Sequence, residues 1–242
     1  MNFLVFQHLD VEHPGIFRDF MKAQGVNWDT LNWDIGETLG PNAHGLDRYD
    51  ALMVMGGPMD VWEESKYPWL IEEKTAIRKW VGELGRPYLG VCLGHQLLAD
   101  ALGGSVGPML RPEVGLGSVK LESAALNDRL FLGIDTPLDC VQWHGAEVKS
   151  LPRNAAVLAS NDQSPIQAMR YGSNAYGIQF HVEVTGSTVA EWAAVPEYCV
   201  SLETVAGAGA TERFDRAVKD NLPALRKNAT LFFDGFMKVV QS

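Results

Sequence analysis

Residues 88–96 read YLGVCLGHQ, an apolar run that reaches Cys92 and passes directly into the helix-like segment 97–102. Gly90 and Gly94 stand two positions before and two positions after the cysteine. A strand, a nucleophilic side chain between flanking glycines and a following helix are typical of a nucleophile elbow, whose turn leaves no space for flanking side chains. A cysteine at such a helix N-terminus is favoured as the thiolate. A buried cysteine in an ordinary strand–turn–helix connection is the alternative interpretation.

A cysteine nucleophile needs a base, and the base needs a group that orients it. The chain has six histidines, and His181 ends the short apolar run 176–180, two positions before Glu183. Residues two apart on an extended chain point to the same side, so the Glu183 carboxylate can hold the imidazole. By itself a His-x-Glu spacing is weak and can arise by chance. Combined with the cysteine elbow, it becomes a specific signal.

A glycine loop follows the apolar segment 51–55, in the sequence MVMGGP of residues 53–58. Glycine allows backbone N–H groups to approach a substrate closely, and attack on an amide builds an oxyanion that needs such donors. A plain turn is the alternative, because Gly-Gly and Gly-Pro are common turn dipeptides. The position after a predicted parallel strand, where α/β folds place their ligand sites, favours a functional loop.

The three blocks, in this order and spacing, resemble those of class I (triad-type) glutamine amidotransferases, and most closely the stand-alone branch similar to the amidotransferase domain of GMP synthase. The resemblance implies a catalytic triad of Cys92, His181 and Glu183. Sulfur would attack the γ-carboxamide of glutamine, giving a γ-glutamyl thioester and ammonia. The resemblance also implies that the N–H groups of Gly57 and Leu93 form the oxyanion hole.

The same resemblance suggests the residues that bind the substrate. Gln96 lies about one helical turn after Cys92 and would hold the amino-acid end of the substrate, although a polar helix-surface residue is the alternative. Gly56 of the glycine loop is a further candidate. The segment 141–148, VQWHGAEV, resembles a loop that presents backbone groups to the substrate's α-amino and α-carboxylate groups, with contacts at Gly145 and Ala146.

Two other histidines in these blocks receive different interpretations. His144 lies within the predicted substrate loop but has no carboxylate two residues later, so it is not the predicted base. His95 lies inside the elbow and is expected to pack or to orient its neighbours.

Predicted elements alternate along the first hundred residues. Strands are expected at 3–7, 26–33, 51–55 and 87–91, and helices at 14–24, 63–84 and 92–102. Such alternation predicts right-handed crossovers and a parallel sheet. Short strands between residues 115 and 180 predict a mixed or antiparallel extension, followed by helices at 189–206 and 212–240. We expect an α/β, flavodoxin-like fold with a mostly parallel central sheet, in one domain of residues 1–242 whose C-terminal helical segment, about 187–242, packs on it.

Composition limits the classes of function. The formal net charge is −10 with no basic tract, which disfavours binding to nucleic acid. The sequence contains no run of about 18 apolar residues, so no membrane span is predicted. The N-terminus does not resemble a signal peptide. Three widely spaced cysteines fit neither a disulfide framework nor a zinc site, which indicates a reducing cytoplasmic setting. No metal and no cofactor is expected.

Three functions remain open. The first is a glutamine amidotransferase or glutaminase that works with a separate synthase subunit. The second is a γ-glutamyl peptide hydrolase that uses the same thioester chemistry on a γ-glutamyl small molecule. The third is a non-catalytic binding or regulatory protein, against which the complete set of Cys92, His181 and Glu183 weighs. The first two require the same chemistry at the γ-carbonyl, so motifs do not separate them.

Overall fold

In the computed structural model, which describes residues 1–39 and 45–242, one sheet of nine strands runs through the molecule. The strands, in chain order, are β1 Asn2–Gln7, β2 Asn27–Asn32, β3 Ala51–Val54, β4 Tyr88–Val91, β5 Ser105–Leu121, β6 Leu138–Ser150, β7 Ala155–Ser160, β8 Ala168–Tyr171 and β9 Ala175–Ile178. The helices are α1 Phe17–Ala23, α2 Trp69–Ile77, α3 Leu93–Ala101, α4 Thr188–Ala193, α5 Pro196–Ala206 and α6 Ala210–Val240. A π-helical segment, Arg78–Glu83, continues α2.

The spatial order of the strands is β2-β1-β3-β4-β9-β8-β7-β5-β6. The first five run parallel, whereas β8, β7, β5 and β6 join through antiparallel pairs. Every residue of β3, β4 and β9 is buried, as expected for parallel strands with both faces covered. The predicted α/β class, with a parallel centre and a mixed extension, is confirmed.

The two faces of the sheet support two separate cores. One core packs α1 and α6 against the sheet and includes Phe17, Phe232 and Phe236. The other packs α2 and α3 and includes Trp80 and Leu97. A third cluster, around Trp143 of β6, contains residues of α4, α5 and α6 and attaches the C-terminal helices to the extension.

Two of the predicted helices differ in the structure, and proline explains both differences. The helix expected at 63–84 begins only at Trp69, and the helix expected at 189–206 is divided into α4 and α5. Pro68 and Pro196 start the new helices, and the residue before a proline is disfavoured in the helical conformation. Val195 is accordingly extended, with φ −84° and ψ 123°.

Across the described ranges, no helix has both the length and the apolar character that crossing a membrane requires.

Candidate active site

Cys92 occupies a strained turn between β4 and α3. Its φ of 52° and ψ of −104° are rarely adopted by residues with a side chain, and such strain concentrates at functional sites. The flanking glycines are required by close packing, because a Cβ at Gly94 would collide with the Val54 carbonyl and one at Gly90 with the Gly94 carbonyl. The turn holds Cys92 at the N-terminus of α3, which is the positive end of the helix dipole.

His181 lies just past β9, on an extended segment held by β6. Its backbone exchanges two hydrogen bonds with Val141, at 2.8 and 3.1 Å. This bridge continues the strand geometry beyond Ile178 and turns His181 and Glu183 to one side. The His181 Nδ1 lies 2.7 Å from Glu183 Oε1, and Glu183 Oε2 accepts the Val182 N–H at 3.0 Å. The carboxylate therefore orients the imidazole and is itself held by the backbone.

The electrostatic surroundings of His181 favour its charged form. Burial by itself lowers the pKa of His181, but the Glu183 carboxylate and the Cys92 sulfur together raise this pKa well above its usual range. Trp192 of α4 packs edge-on against the imidazole with the ring centroids 4.6 Å apart. Because Nδ1 donates to Glu183, Nε2 is the nitrogen that is left to interact with the Cys92 sulfur. The arrangement is suited to an imidazolium paired with a thiolate.

The side-chain amides of Gln96 and Gln179 form a hydrogen-bonded chain that ends at the Cys92 sulfur. Gln179 Nε2 donates toward Cys92 Sγ at 3.6 Å, and Gln179 Oε1 accepts from Gln96 Nε2 at 3.1 Å. Gln179 is fully buried, so these contacts are shielded from water. A donor directed at the sulfur stabilises negative charge there.

A cleft of about 190 Å³ opens above Cys92. This is below the roughly 300–1,000 Å³ of pockets for drug-sized ligands, so it fits a group of amino-acid size. The cleft is lined by Gly57, Pro58, Met59, Asp60, Cys92, Gln96, Trp143, His144, Gly145, Ala146, Glu197, Tyr198 and Ser201.

The two predicted oxyanion donors lie close to Cys92 and to each other. Gly57 follows β3, the neighbour of β4, and lines the cleft. Leu93 is the first residue of α3, where an N–H group has no acceptor within the helix. Gly56 lies behind the cleft wall, with its carbonyl directed at His8.

The predicted substrate residues Gln96, Gly145 and Ala146 all reach the cleft. Gln96 Nε2 lies 3.3 Å from the Ala146 carbonyl, and His144 Nδ1 lies 3.1 Å from the same oxygen. His144 is paired with Glu113, whose Oε2 is 3.2 Å from Nε2. The strand register places Glu113 opposite His144, so this carboxylate comes from across the sheet rather than from two residues along the chain.

His95 turns away from the cleft. It is fully buried, and its Nδ1 would lie 2.6 Å from a Cβ at Gly177 of β9. Burial lowers the pKa of His95 to about 3. His95 therefore packs between α3 and β9.

Several residues at the site were not predicted. They are His8, Glu12, Glu73, Gln179 and Tyr198. Gln179 lies inside the block that contains His181, and His8 directly follows β1, so position at the carboxyl edge of the sheet could have indicated both. Glu73 and Tyr198 come from helices whose docking no local pattern reveals.

No group of three or more His, Cys, Asp or Glu side chains in the described part of the chain is arranged to hold a metal ion. His44 falls outside that part.

Comparison with known proteins agrees with the geometry. The family model described as "Glutamine amidotransferase class-I" matches residues 16–192, which include Cys92, His181 and Glu183. The chain belongs to the class I glutamine amidotransferase family. The match ends within α4, so the cleft receives Glu197, Tyr198 and Ser201 from a helix beyond the matched region.

Individual relatives of this chain carry several names. The glutamine amidotransferase-like protein YfeJ of Salmonella typhimurium is 33% identical over 75% of this chain and 75% of its own length. One of the subunits of the glutamine-hydrolysing GMP synthase of Saccharolobus solfataricus is 37% identical over 57% of this chain and 70% of its own. Gamma-glutamyl peptidase 5 of Arabidopsis thaliana is 30% identical over 71% of this chain and 68% of its own.

A solved structure extends the likeness along the whole chain. A glutamine amidotransferase from Thermotoga maritima superposes with a TM-score of 0.87 at 28% identity, covering 100% of this chain and 99% of that one. The fold, including the C-terminal helices beyond the family match, is therefore shared with that protein.

Proposed function

We propose that this protein cleaves the γ-carboxamide of glutamine, or a γ-glutamyl amide, through a thioester on Cys92. The observation that supports this most directly is the pairing of His181 with Glu183 at 2.7 Å beside Cys92, which sits in a strained elbow. Residues 1–242 would act as one amidotransferase domain. A non-catalytic role would leave a costly backbone strain and a buried ion pair without a purpose.

The chemistry begins with attack of the Cys92 thiolate on the γ-carbonyl carbon. The carbonyl oxygen becomes an oxyanion, which the N–H groups of Gly57 and Leu93 stabilise. As the tetrahedral intermediate collapses, the C–N bond breaks and the His181 imidazolium donates its Nε2 proton to the departing nitrogen. The products of this half-reaction are ammonia or an amine, and a γ-glutamyl thioester.

Water completes the reaction. Neutral His181 removes a proton from a water molecule, the hydroxyl adds to the thioester carbon, and the C–S bond breaks to release glutamate. The thiolate and the imidazolium are thereby restored. Glu183 holds the same tautomer and orientation of His181 through both half-reactions.

Substrate contacts are assigned to the rim of the cleft. Gln96 and the backbone at Gly145 and Ala146 would hold the α-amino and α-carboxylate groups. The donors Gln96 and His144 converge on the Ala146 carbonyl and so fix that loop. The proposed contact of Gly56 with substrate stays a prediction, since its carbonyl is already engaged by His8.

Free glutamine is the first candidate substrate. Similarity to the matched portion of GMP synthase supports a protein that releases ammonia for a separate synthase subunit. A γ-glutamyl peptide is the second, supported by similarity to gamma-glutamyl peptidase 5 over 71% of this chain. Both substrates use the same three residues and differ only in the leaving group.

A product assay on the purified chain tests the proposal and separates the two substrates. Ammonia release from glutamine and amine release from a panel of γ-glutamyl dipeptides are measured in parallel, with the Cys92→Ala variant as the blank. Higher kcat/KM for glutamine supports the amidotransferase role, and higher kcat/KM for dipeptides supports the peptidase role. Identical rates for wild type and Cys92→Ala on all substrates would refute the proposed chemistry.

A further inference from the structure

We propose that His8 is a positioning residue: as an imidazolium locked by Glu73, it fixes the Gly56–Gly57 peptide so that the Gly57 N–H points into the cleft. The role assigned to His8 in turnover rests on the proposed function, whereas its effect on the peptide can be measured without turnover. The residue lies just after β1, outside the three sequence blocks and on the far side of the glycine loop.

Both nitrogens of His8 face acceptors. Nδ1 lies 2.8 Å from the Gly56 carbonyl oxygen, and Nε2 lies 3.0 and 3.2 Å from the two oxygens of the Glu73 carboxylate. A carbonyl and a carboxylate only accept hydrogen bonds, so both nitrogens must carry a proton. The geometry by itself therefore describes a charged imidazolium.

The surroundings of His8 agree with that charge. Burial lowers the pKa of His8, but Glu73 on α2, the Gly56 carbonyl and Glu12 on the loop after β1 outweigh it and leave this pKa raised. His8 and Glu73 are both completely buried, and the Trp69 ring stacks on the imidazole at 5.5 Å. The imidazole is thus held in one orientation by an ion pair and an aromatic face.

The geometry of the peptide bond connects His8 to the oxyanion hole. The Gly56 carbonyl and the Gly57 N–H belong to one planar trans peptide, in which C=O and N–H point in opposite directions. A hydrogen bond that holds the carbonyl against His8 therefore directs the N–H away from it, toward the cleft that Gly57 lines. A charged donor on the carbonyl also polarises the peptide and strengthens the N–H as a donor.

The glycine loop is packed too tightly for the Gly56–Gly57 peptide to flip. A Cβ at Gly57 would lie 3.0 Å from the Cβ of His8 and 3.0 Å from Leu93 Cδ2, and one at Gly56 would lie 2.5 Å from Glu12 Oε2. A buried ion pair is weak evidence for stability, because desolvation offsets its attraction. We therefore explain the buried His8–Glu73 pair by its contact with the glycine loop rather than by a contribution to stability.

Two variants separate the contacts of His8. In His8→Gln, the longer amide keeps its donor near the Nε2 position and Glu73, and the Gly56 carbonyl loses its partner. In His8→Asn combined with Glu73→Gln, the shorter amide keeps a donor near the Nδ1 position and Gly56, and no carboxylate is left buried without a partner. The pair therefore compares loss of the peptide contact with loss of the ion pair.

Three measurements are made on the full chain. The first is kcat and KM for the better γ-glutamyl substrate. The second is the alkylation rate of Cys92 by iodoacetamide, which depends on the thiolate but not on an oxyanion hole. The third is the ¹H–¹⁵N resonance of the Gly57 amide. Removal of one oxyanion donor costs about 10²–10³-fold in kcat, so we expect misorientation in His8→Gln to cost about 10–100-fold.

The expected pattern in His8→Gln is a lower kcat with KM within about twofold, an unchanged alkylation rate and a shifted Gly57 resonance. The double variant keeps a donor to the Gly56 carbonyl but lacks the charge and the ion pair, so its kcat should fall by about fivefold, less than that of His8→Gln. An unchanged kcat in His8→Gln, or an equal fall of kcat and alkylation rate, would overturn the positioning role.

If the wild type turns over no γ-glutamyl substrate, the proposed function fails and the resonance decides this inference. A Gly57 resonance in His8→Gln that matches wild type would refute it, as would shifts of equal size in His8→Gln and in the double variant. A larger shift in His8→Gln than in the double variant would support it.

Discussion

At the scale of single residues, the strained backbone of Cys92 points most directly to function. A side chain held at φ 52° and ψ −104° costs on the order of 1–3 kcal/mol, which the surrounding packing must offset. The conformation directs Sγ toward the cleft and puts the cysteine at the start of α3. This strain is consistent with the proposed role of Cys92 as the nucleophile.

Replacement of Cys92, the proposed nucleophile, should separate activity from folding. We expect Cys92→Ala to reduce release of glutamate from γ-glutamyl substrates to the uncatalysed background, with the same circular dichroism spectrum as wild type. Cys199→Ala is the matched control, because Cys199 is a partly exposed free thiol that does not line the cleft, and it should keep wild-type activity. Turnover above background in Cys92→Ala would show that another group attacks the substrate.

Substitution of Glu183 should change the pH dependence of the reaction. Its carboxylate is the leading group that raises the pKa of His181 against the effect of burial. Activity that needs the imidazolium declines as pH rises through this raised pKa. Glu183→Gln removes the charge, so the pKa of His181 falls and the alkaline decline moves to lower pH.

We expect kcat/KM of Glu183→Gln to be reduced by about 10²–10⁴-fold at pH 7.5, and that of His181→Ala by more. Profiles of kcat/KM from pH 5.5 to 10 check both statements. An alkaline decline at the same pH in Glu183→Gln and wild type would show that another group sets the charge of His181.

At the scale of elements, the site depends on three neighbouring parallel strands. β3, β4 and β9 lie side by side, and the glycine loop, Cys92 and His181 follow their carboxyl ends. Each block carries its own local signature, and alternation of strands and helices implies a shared edge, so sequence was sufficient for this part. It was not sufficient for His8–Glu73 or Glu113–His144, because those pairs join residues 65 and 31 positions apart through tertiary packing.

α5 illustrates the same limit. The sequence predicted helix there but not the break at Pro196, and the helix that begins at this break contributes Glu197, Tyr198 and Ser201 to the lining of the cleft. Tyr198 donates a hydrogen bond to the buried Glu12 carboxylate, which joins α5 to the loop after β1. The hydroxyl thus connects a helix outside the matched family region to the loop after β1, at the edge of the sheet where Cys92 lies.

Removal of that hydroxyl should loosen the connection. In Tyr198→Phe a buried carboxyl loses a partner, and we expect a loss of about 1–3 kcal/mol in the free energy of unfolding, measured in urea. Tyr171→Phe, at the half-buried end of β8, is the control and should change stability by less than about 0.5 kcal/mol. Equal stability of Tyr198→Phe and wild type would mean that the bond to Glu12 contributes nothing to docking of α5.

At the scale of the whole molecule, the two cores meet at a sheet whose active edge carries several buried ionisable groups. Among the described histidines, His8 and His181 have raised pKa values, so they stabilise the fold at low pH and lose that effect as pH rises through those values. His95 acts in the opposite direction, because the folded protein keeps it neutral down to a pKa of about 3. Acid therefore favours the unfolded chain through His95.

The contribution of His95 can be isolated by substitution. With an unfolded pKa of about 6.5, the unfolded chain binds a proton that the folded protein refuses between pH 6.5 and about 3. Stability falls as pH is lowered across that window, and linkage gives a loss of about 2 kcal/mol between pH 7 and pH 5. His95→Gln cannot titrate and retains every other ionisable group.

Unfolding in urea at pH 7, 6 and 5 should therefore show wild type losing about 2 kcal/mol more than His95→Gln, whatever the other groups contribute. Parallel curves for the two proteins would mean that His95 accepts a proton in the folded state, and hence that the packing between α3 and β9 opens to water in mild acid.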